Sequence, residues 1–204
     1  MKTNLFVACL LLNLLLLSTS TGQSSFRLNN YNPPEVNARV FDAQGVPLEG
    51  PNYVGELWGG SVSNSLTPAL GFYSGQRIVV AFRTGSGAGI VRDSYAGRDE
   101  ADHPTVLGVT PLISQAWLQV RAWDLRLGAT YEEVAALGLG GYGGSPLFSA
   151  YGTDPTVLFA VGAPLIGLQS FSLLPVVPEP AAWALLALGG TALWVFRRAL
   201  RGRL

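Results

Sequence analysis

Polar residues able to do chemistry cluster most densely at Arg98-Asp99-Glu100-Ala101-Asp102-His103-Pro104, which holds the chain's one histidine. Loop carboxylates can ligate Ca²⁺ through oxygen, and His103 beside Asp102 has the composition of a general base. The spacing departs from an EF-hand loop, which needs a central glycine and a glutamate at its twelfth position. One His and one Cys make a tetrahedral zinc site unworkable. The expectation is a solvated loop ahead of a strand at Val106. A second run, Gly85-Ser86-Gly87-Ala88-Gly89, has the flexibility of a phosphate cradle but lacks the lysine and following helix such a loop uses, so a turn between strands is expected. Neither it nor Gly141-Tyr142-Gly143-Gly144-Ser145 contains the Gly-x-Ser-x-Gly of a nucleophile elbow. Glu132–Glu133 and Asp99–Asp102 are close in sequence, which does not supply opposed carboxyls about 5 Å or more apart. No enzyme activity, metal ion or cofactor is expected.

Aromatic residues offer a different chemistry. Trp58, Trp117 and Trp123, with tyrosines at 53, 73, 95, 142 and 151, have the amphipathic rings of a sugar-stacking surface. The same residues also fill the cores and edges of small β-domains, so packing competes with glycan binding as their role.

The elements that must position these residues read as all-β. Gly and Pro are abundant, and short apolar runs rich in Val, Leu, Tyr and Trp are bounded by turn residues. Strands are expected at Val36–Val40, Tyr53–Trp58, Arg77–Phe82, Val106–Thr110, Ala116–Trp123, Val157–Val161 and Leu168–Leu174. In Trp117–Trp123 the even positions are apolar and form one buried face, while Gln119 and Arg121 share the other with Trp117 and Trp123. Seven or so short strands fit a single β-sandwich-like domain. One short helix is expected where Thr130-Tyr131-Glu132-Glu133 makes a capping box and Gly138 a C-cap, followed by a glycine-rich loop at Gly138–Gly144.

The two ends of the chain carry a different signal. Lys2 precedes an apolar run, Leu5–Leu17, and then Ser18-Thr19-Ser20-Thr21-Gly22. This is the pattern of a signal peptide cut between Gly22 and Gln23, with small residues Ser20 and Gly22 before the cut. The run is short for a spanning helix, which needs about 20 residues. Cys9 sits too early in it to be a lipidation site and would leave with it, so the mature chain would have no thiol. At the other end Pro178-Glu179-Pro180 precedes Ala181–Phe196, a span of about 24 Å as a helix, and then Arg197, Arg198, Arg201 and Arg203. A transmembrane helix with a basic cytoplasmic stop is expected there, with Trp183 and Trp194 at its interfaces. The domain reading is therefore signal peptide 1–22, extracytoplasmic domain 23–174, proline-rich extended spacer 175–180, transmembrane helix 181–196 and basic tail 197–204. Between the signals lie eight arginines, no lysine and twelve carboxylates, a formal charge of −4. That balance argues against nucleic acid as a partner.

The ordered tail, Pro-Glu-Pro then apolar helix then arginines, resembles the PEP-CTERM sorting signal of Gram-negative bacteria. The resemblance implies delivery by the Sec translocon, cutting by signal peptidase, contact with membrane lipid, and processing by a membrane-embedded exosortase at Pro178–Pro180. The body would stand outside the cytoplasmic membrane on a single pass, then reach the cell surface or extracellular matrix as a non-enzymatic component. An exported module binding extracellular polysaccharide through Trp58, Trp117 or Trp123 is the alternative, as is a permanently anchored protein that is never processed. Separately, Val36–Trp58, with Asp42, Gly45, Pro47, Leu48 and Gly50 in its turn, resembles the opening hairpin of prealbumin-like or carboxypeptidase-regulatory-like sandwich modules. That resemblance implies architecture only.

Overall fold

The structure is a computed structural model that describes residues 22–91, 102–157 and 161–177. Its strands are β1 (Gln23–Ser25), β2 (Tyr31–Asn32), β3 (Val36–Asn37), β4 (Val40–Phe41), β5 (Gly50–Gly60), β6 (Thr67–Pro68), β7 (Leu70–Gly71), β8 (Val79–Phe82), β9 (Pro104–Leu107) and β10 (Gln115–Asp124). After β10 come the helix α1 (Tyr131–Leu137) and strands β11 (Tyr142–Gly144), β12 (Phe148–Tyr151) and β13 (Phe171–Ser172). The fold is all-β with one short α-helix among the described residues, none of whose helices is long and apolar enough to cross a membrane.

Two long strands organise the largest sheet. β10 lies antiparallel to β5 over the register Trp117↔Gly60 to Asp124↔Tyr53. β11 and β12 pair with β10's other edge, and β6 and β8 with β5's. A second sheet has the order β1-β9-β7, while β13 pairs in parallel with β4, and β2 with β3. The alternation of β10 decides where the core sits: Ala116, Leu118, Val120 and Ala122 are fully buried. They pack in one cluster with Phe26, Leu28, Leu57, Val106, Phe148 and Leu165, side chains from both larger sheets and the segments joining them.

Several expected strands shrink or divide. The run Val36–Val40 becomes β3 and β4 with its alternation kept, since Val36, Ala38 and Val40 are buried. It breaks because the buried Asn30 amide donates to the Ala38 and Gly89 carbonyls (2.7 and 2.8 Å), replacing ladder partners with a side chain. The Asp42–Gly50 turn closes on itself: Asp42 Oδ1 accepts from the amides of Gln44 and Val46, and Leu48 N–H returns to Val40. The Tyr53–Trp58 strand that follows pairs with β10, β6 and β8 rather than with β4. The turn therefore links two sheets instead of closing one hairpin. Residues 158–160 of the Val157–Val161 expectation lie outside the described residues.

The helix forms where its caps demand. Thr130 Oγ1 accepts from the Glu133 amide (3.2 Å), and the Glu133 carboxylate accepts in turn from the amides of Thr130 and Ala129. Gly138 ends it at φ 67°, a left-handed conformation that glycine adopts without a Cβ penalty. Thr130→Ala should lower the domain's unfolding free energy by about 1 kcal/mol, read as a shifted urea midpoint with unchanged slope.

Candidate functional site

β10's outward face is not one surface. Trp117 at its start is 38% exposed, whereas Trp123 near its end is fully buried and Trp58, on the neighbouring β5, is buried too. The cover is α1. Tyr131 meets Trp58, Trp123 and Tyr142 edge-on, with ring centroids 6.3, 6.3 and 5.7 Å apart. Val134 of the helix packs with Trp123 and Val54 in a second small core. The Arg121 guanidinium stacks on Trp58 at 3.7 Å and on Tyr131 at 4.8 Å, and Gln119 Oε1 accepts from its Nε. Burial lowers Arg121's affinity for its proton. Of the two roles open to Trp58 and Trp123, packing holds and glycan stacking does not: an amphipathic helix needs an apolar seat, and these two rings provide it. Trp117 alone remains open.

The densest ionic cluster lies beside these rings. Glu56 on β5 is wholly buried, and Arg77 grips it with Nε to Oε1 and a terminal nitrogen to Oε2, both 2.6 Å. Trp58 Nε1 donates to the same Oε2 at 3.0 Å. Arg77 also donates to both oxygens of Glu132 on α1, each at 3.0 Å. The Glu56 hydrogen bonds, acting against burial, raise Arg77's affinity for its proton. Partial burial pushes Glu132 up, but the Arg77 hydrogen bonds, a backbone hydrogen bond and the charges of Arg77 and Arg121 together hold the carboxyl below its usual range. Every oxygen of both carboxylates therefore receives a donor, so the cluster clamps the helix to the sheet.

Asp102 and His103, expected in a solvated loop, are both buried. Asp102 accepts from the amides of Tyr73 (2.8 Å) and Ser74 (3.3 Å), tying down the turn after β7. A loop without its own ladder bonds needs such an acceptor, which is why the carboxylate is inside. Residues 98–101 of that cluster lie outside the described residues. Gly85–Gly87 forms a 3₁₀ turn, and the carbonyls of Ser86 within it and of Ala88 just after it accept from Arg39. It is a turn between strands, as its lack of lysine suggested. Among the described residues, no group of three His, Cys, Asp or Glu side chains could hold a metal ion.

The signal at the two ends is described only at its inner margins. Pro178, Glu179 and Pro180, the helix expected over 181–196, Arg197, Arg198, Arg201, Arg203 and residues 1–21 lie outside the described residues. Gln23 pairs with Leu107, and the Gly22 carbonyl accepts from the amides of Gly108 and Val109. The spacer expected at 175–180 needs correction in its first half. Gly141 N–H donates to the Leu174 carbonyl, Leu174 N–H donates to the Tyr142 carbonyl, and Val177 N–H donates to the Leu139 carbonyl at 2.7 Å. Residues 174–177 are thus laced to the glycine-rich segment, and Tyr142–Gly144 within that segment is a strand rather than loop. Glycines serve there because the Pro175 and Ser172 carbonyls approach where side chains would stand.

A cavity of about 400 Å³ lies elsewhere, walled by five chain segments. Arg27 and Asn29 come from the stretch after β1, Asn32 and Glu35 from the β2–β3 arm, and Tyr151 and Thr153 from the end of β12. Asn29 Oδ1 accepts from the Tyr31 amide, and Asn32 Nδ2 donates to Glu35 Oε2 at 3.1 Å. Leu112, 73% exposed on the rim, holds φ 59°, a left-handed value uncommon for a side-chain-bearing residue. Sequence reasoning missed this cavity because no motif spans residues drawn from such distant segments. No protein-family model, curated protein or solved structure matches this chain.

Proposed function

We propose that the chain is a non-enzymatic, exported surface or matrix protein, carried out through Sec and handed to an exosortase by its C-terminal signal. The observation that supports this reading most is the order of three features in the tail: Pro178-Glu179-Pro180, the apolar Ala181–Phe196 and four following arginines. The apolar N-terminal run with small residues before Gln23 supports export independently. The folded body fits between the two signals, since its first strand begins at Gln23 and Val177 is bonded to Leu139 just before the motif. We read that body as a β-sandwich-like domain, because Gly59 of β5 lies directly against Val106 of β9 and the core is shared by both sheets.

In this reading the prolines keep the motif out of sheet pairing, open to a membrane-embedded enzyme. With Val177 laced down, only the motif itself separates the folded body from the apolar helix. The test is the intact mass of the protein from its native envelope and medium, in parent and exosortase-deficient strains. A species lacking residues 1–22 and everything beyond the motif, present only in the parent, is expected. A species retaining 181–204 in both strains would sink the sorting reading and leave a permanent single-pass anchor.

A further inference from the structure

The cavity bounded by Asn29, Asn32, Glu35 and Tyr151 is, we propose, a binding site for one sugar ring of a neutral or mildly acidic polysaccharide. Its volume, about 400 Å³, lies within the range of roughly 300–1,000 Å³ typical of small-ligand clefts. The lining decides the ligand class. Asn29 is buried and its Oδ1 is held by the Tyr31 amide, which fixes the orientation of its donor NH₂ group. Asn32 uses its NH₂ on Glu35, which leaves the amide oxygen and one carboxylate oxygen as acceptors. Tyr151, half exposed, and the exposed Leu112 add an aromatic and an aliphatic wall.

A set of fixed donors and acceptors beside flat apolar surface suits a ligand whose hydroxyls both donate and accept and whose C–H face stacks on a ring. A phosphate or other polyanion meets the Glu35 carboxylate in the same cavity. A purely apolar ligand would strip water from four polar side chains without replacing their bonds. The rim residue Leu112, strained in φ yet held by its amide to the Gly152 carbonyl, belongs to the same mouth. Trp117 is not among the lining residues, although the β10–β12 register sets it on the same face as Tyr151, and the cavity stands on its own geometry. Only the source of the sugar, an extracellular polymer, rests on the export reading.

The test uses the full chain in lipid nanodiscs, because maltoside detergents would compete. Saturation-transfer NMR follows the methyl glycosides of glucose, galactose, mannose and glucuronic acid, with inorganic phosphate and phenylalanine as controls. A diazirine-bearing glycoside then maps the contact by mass spectrometry. At least one glycoside is expected to bind, to label residues within 27–35, 151–157 or 161–164, and to weaken by roughly tenfold in Tyr151→Ala and in Glu35→Gln. Both positions are exposed, so the fold should persist, and an unchanged thermal midpoint checks that. Labelling confined to residues outside the cavity's lining, binding indifferent to both variants, occupancy by phosphate or phenylalanine alone, or no binding at all would overturn the proposal. Glycoside binding by a chain that cells never process would retain the site and discard the sorting reading.

Discussion

Arg77→Ala should destabilise the domain by about 3–5 kcal/mol, the usual cost of removing one partner from a buried ion pair. Glu56 is wholly buried, and Arg77 supplies two of the three hydrogen bonds it receives. Truncating Arg77 leaves that charge with the Trp58 indole alone and frees Glu132, so α1 loses its ionic tie to β5 and keeps only the apolar one. For a domain of this size the loss corresponds to roughly 10 °C in Tm, measurable by calorimetry. The paired replacement Glu56→Leu with Arg77→Met should cost less than Arg77→Ala, because no uncompensated charge stays inside. A loss of less than about 1 kcal/mol in Arg77→Ala would mean that Glu56 is not held as described. The clamp also predicts a pH dependence. Glu132's carboxyl is depressed in the fold, so its contribution is present above the ordinary carboxylate range and fades as pH falls through its folded value. Glu132→Gln should remove that acid-sensitive part of the stability curve.

Gly140→Ala should have the second large effect. Gly140 sits at φ 86°, and a Cβ there would overlap the Pro175 carbonyl. Left-handed strain and a backbone clash add, so a loss of about 3 kcal/mol or more is expected. The damage should be local before it is global. Amides of Gly141, Leu174 and Val177, which lace the C-terminal segment to the glycine-rich stretch, should lose hydrogen-exchange protection first. Gly45→Ala, at a similar φ of 81° but with nothing near its Cβ, serves as the control and should cost far less. Equal losses at the two positions would show that the Pro175 contact carries no weight.

What was legible in the sequence is what depends on neighbours along the chain. The Thr130–Glu133 capping box and Gly138 follow from bonds within a few residues, and both stand where expected. The apolar even positions of β10 follow from the two-residue strand period, and all four are buried. The other face was illegible, because alternation says which side a residue takes and not what covers it. Trp123 is buried only because α1, a later segment, lies across it. Glycine's poor strand propensity likewise hid β11, where Gly143 is needed because the Ser172 carbonyl presses close. Asp102 reads as a surface carboxylate until the Tyr73 and Ser74 amides, 29 and 28 residues earlier, are seen to converge on it. The cavity is the extreme case, since its walls meet only after the whole fold has formed.

The pairing of early strands with late ones bears on the order of assembly. Ser24 bonds to a residue 85 positions away, Ser25 accepts from Thr153 across 128, and β4 waits for β13 near the end of the described fold. Such a topology closes slowly, because the entropy of long loops is lost before the contacts that offset it can form. An emerging N-terminal fragment lacks partners for β1 and β4 and has little to fold around. On the proposed export route that delay is useful: the chain stays threadable until nearly all of it has crossed, and tertiary structure is completed on the far side by the last strand to arrive.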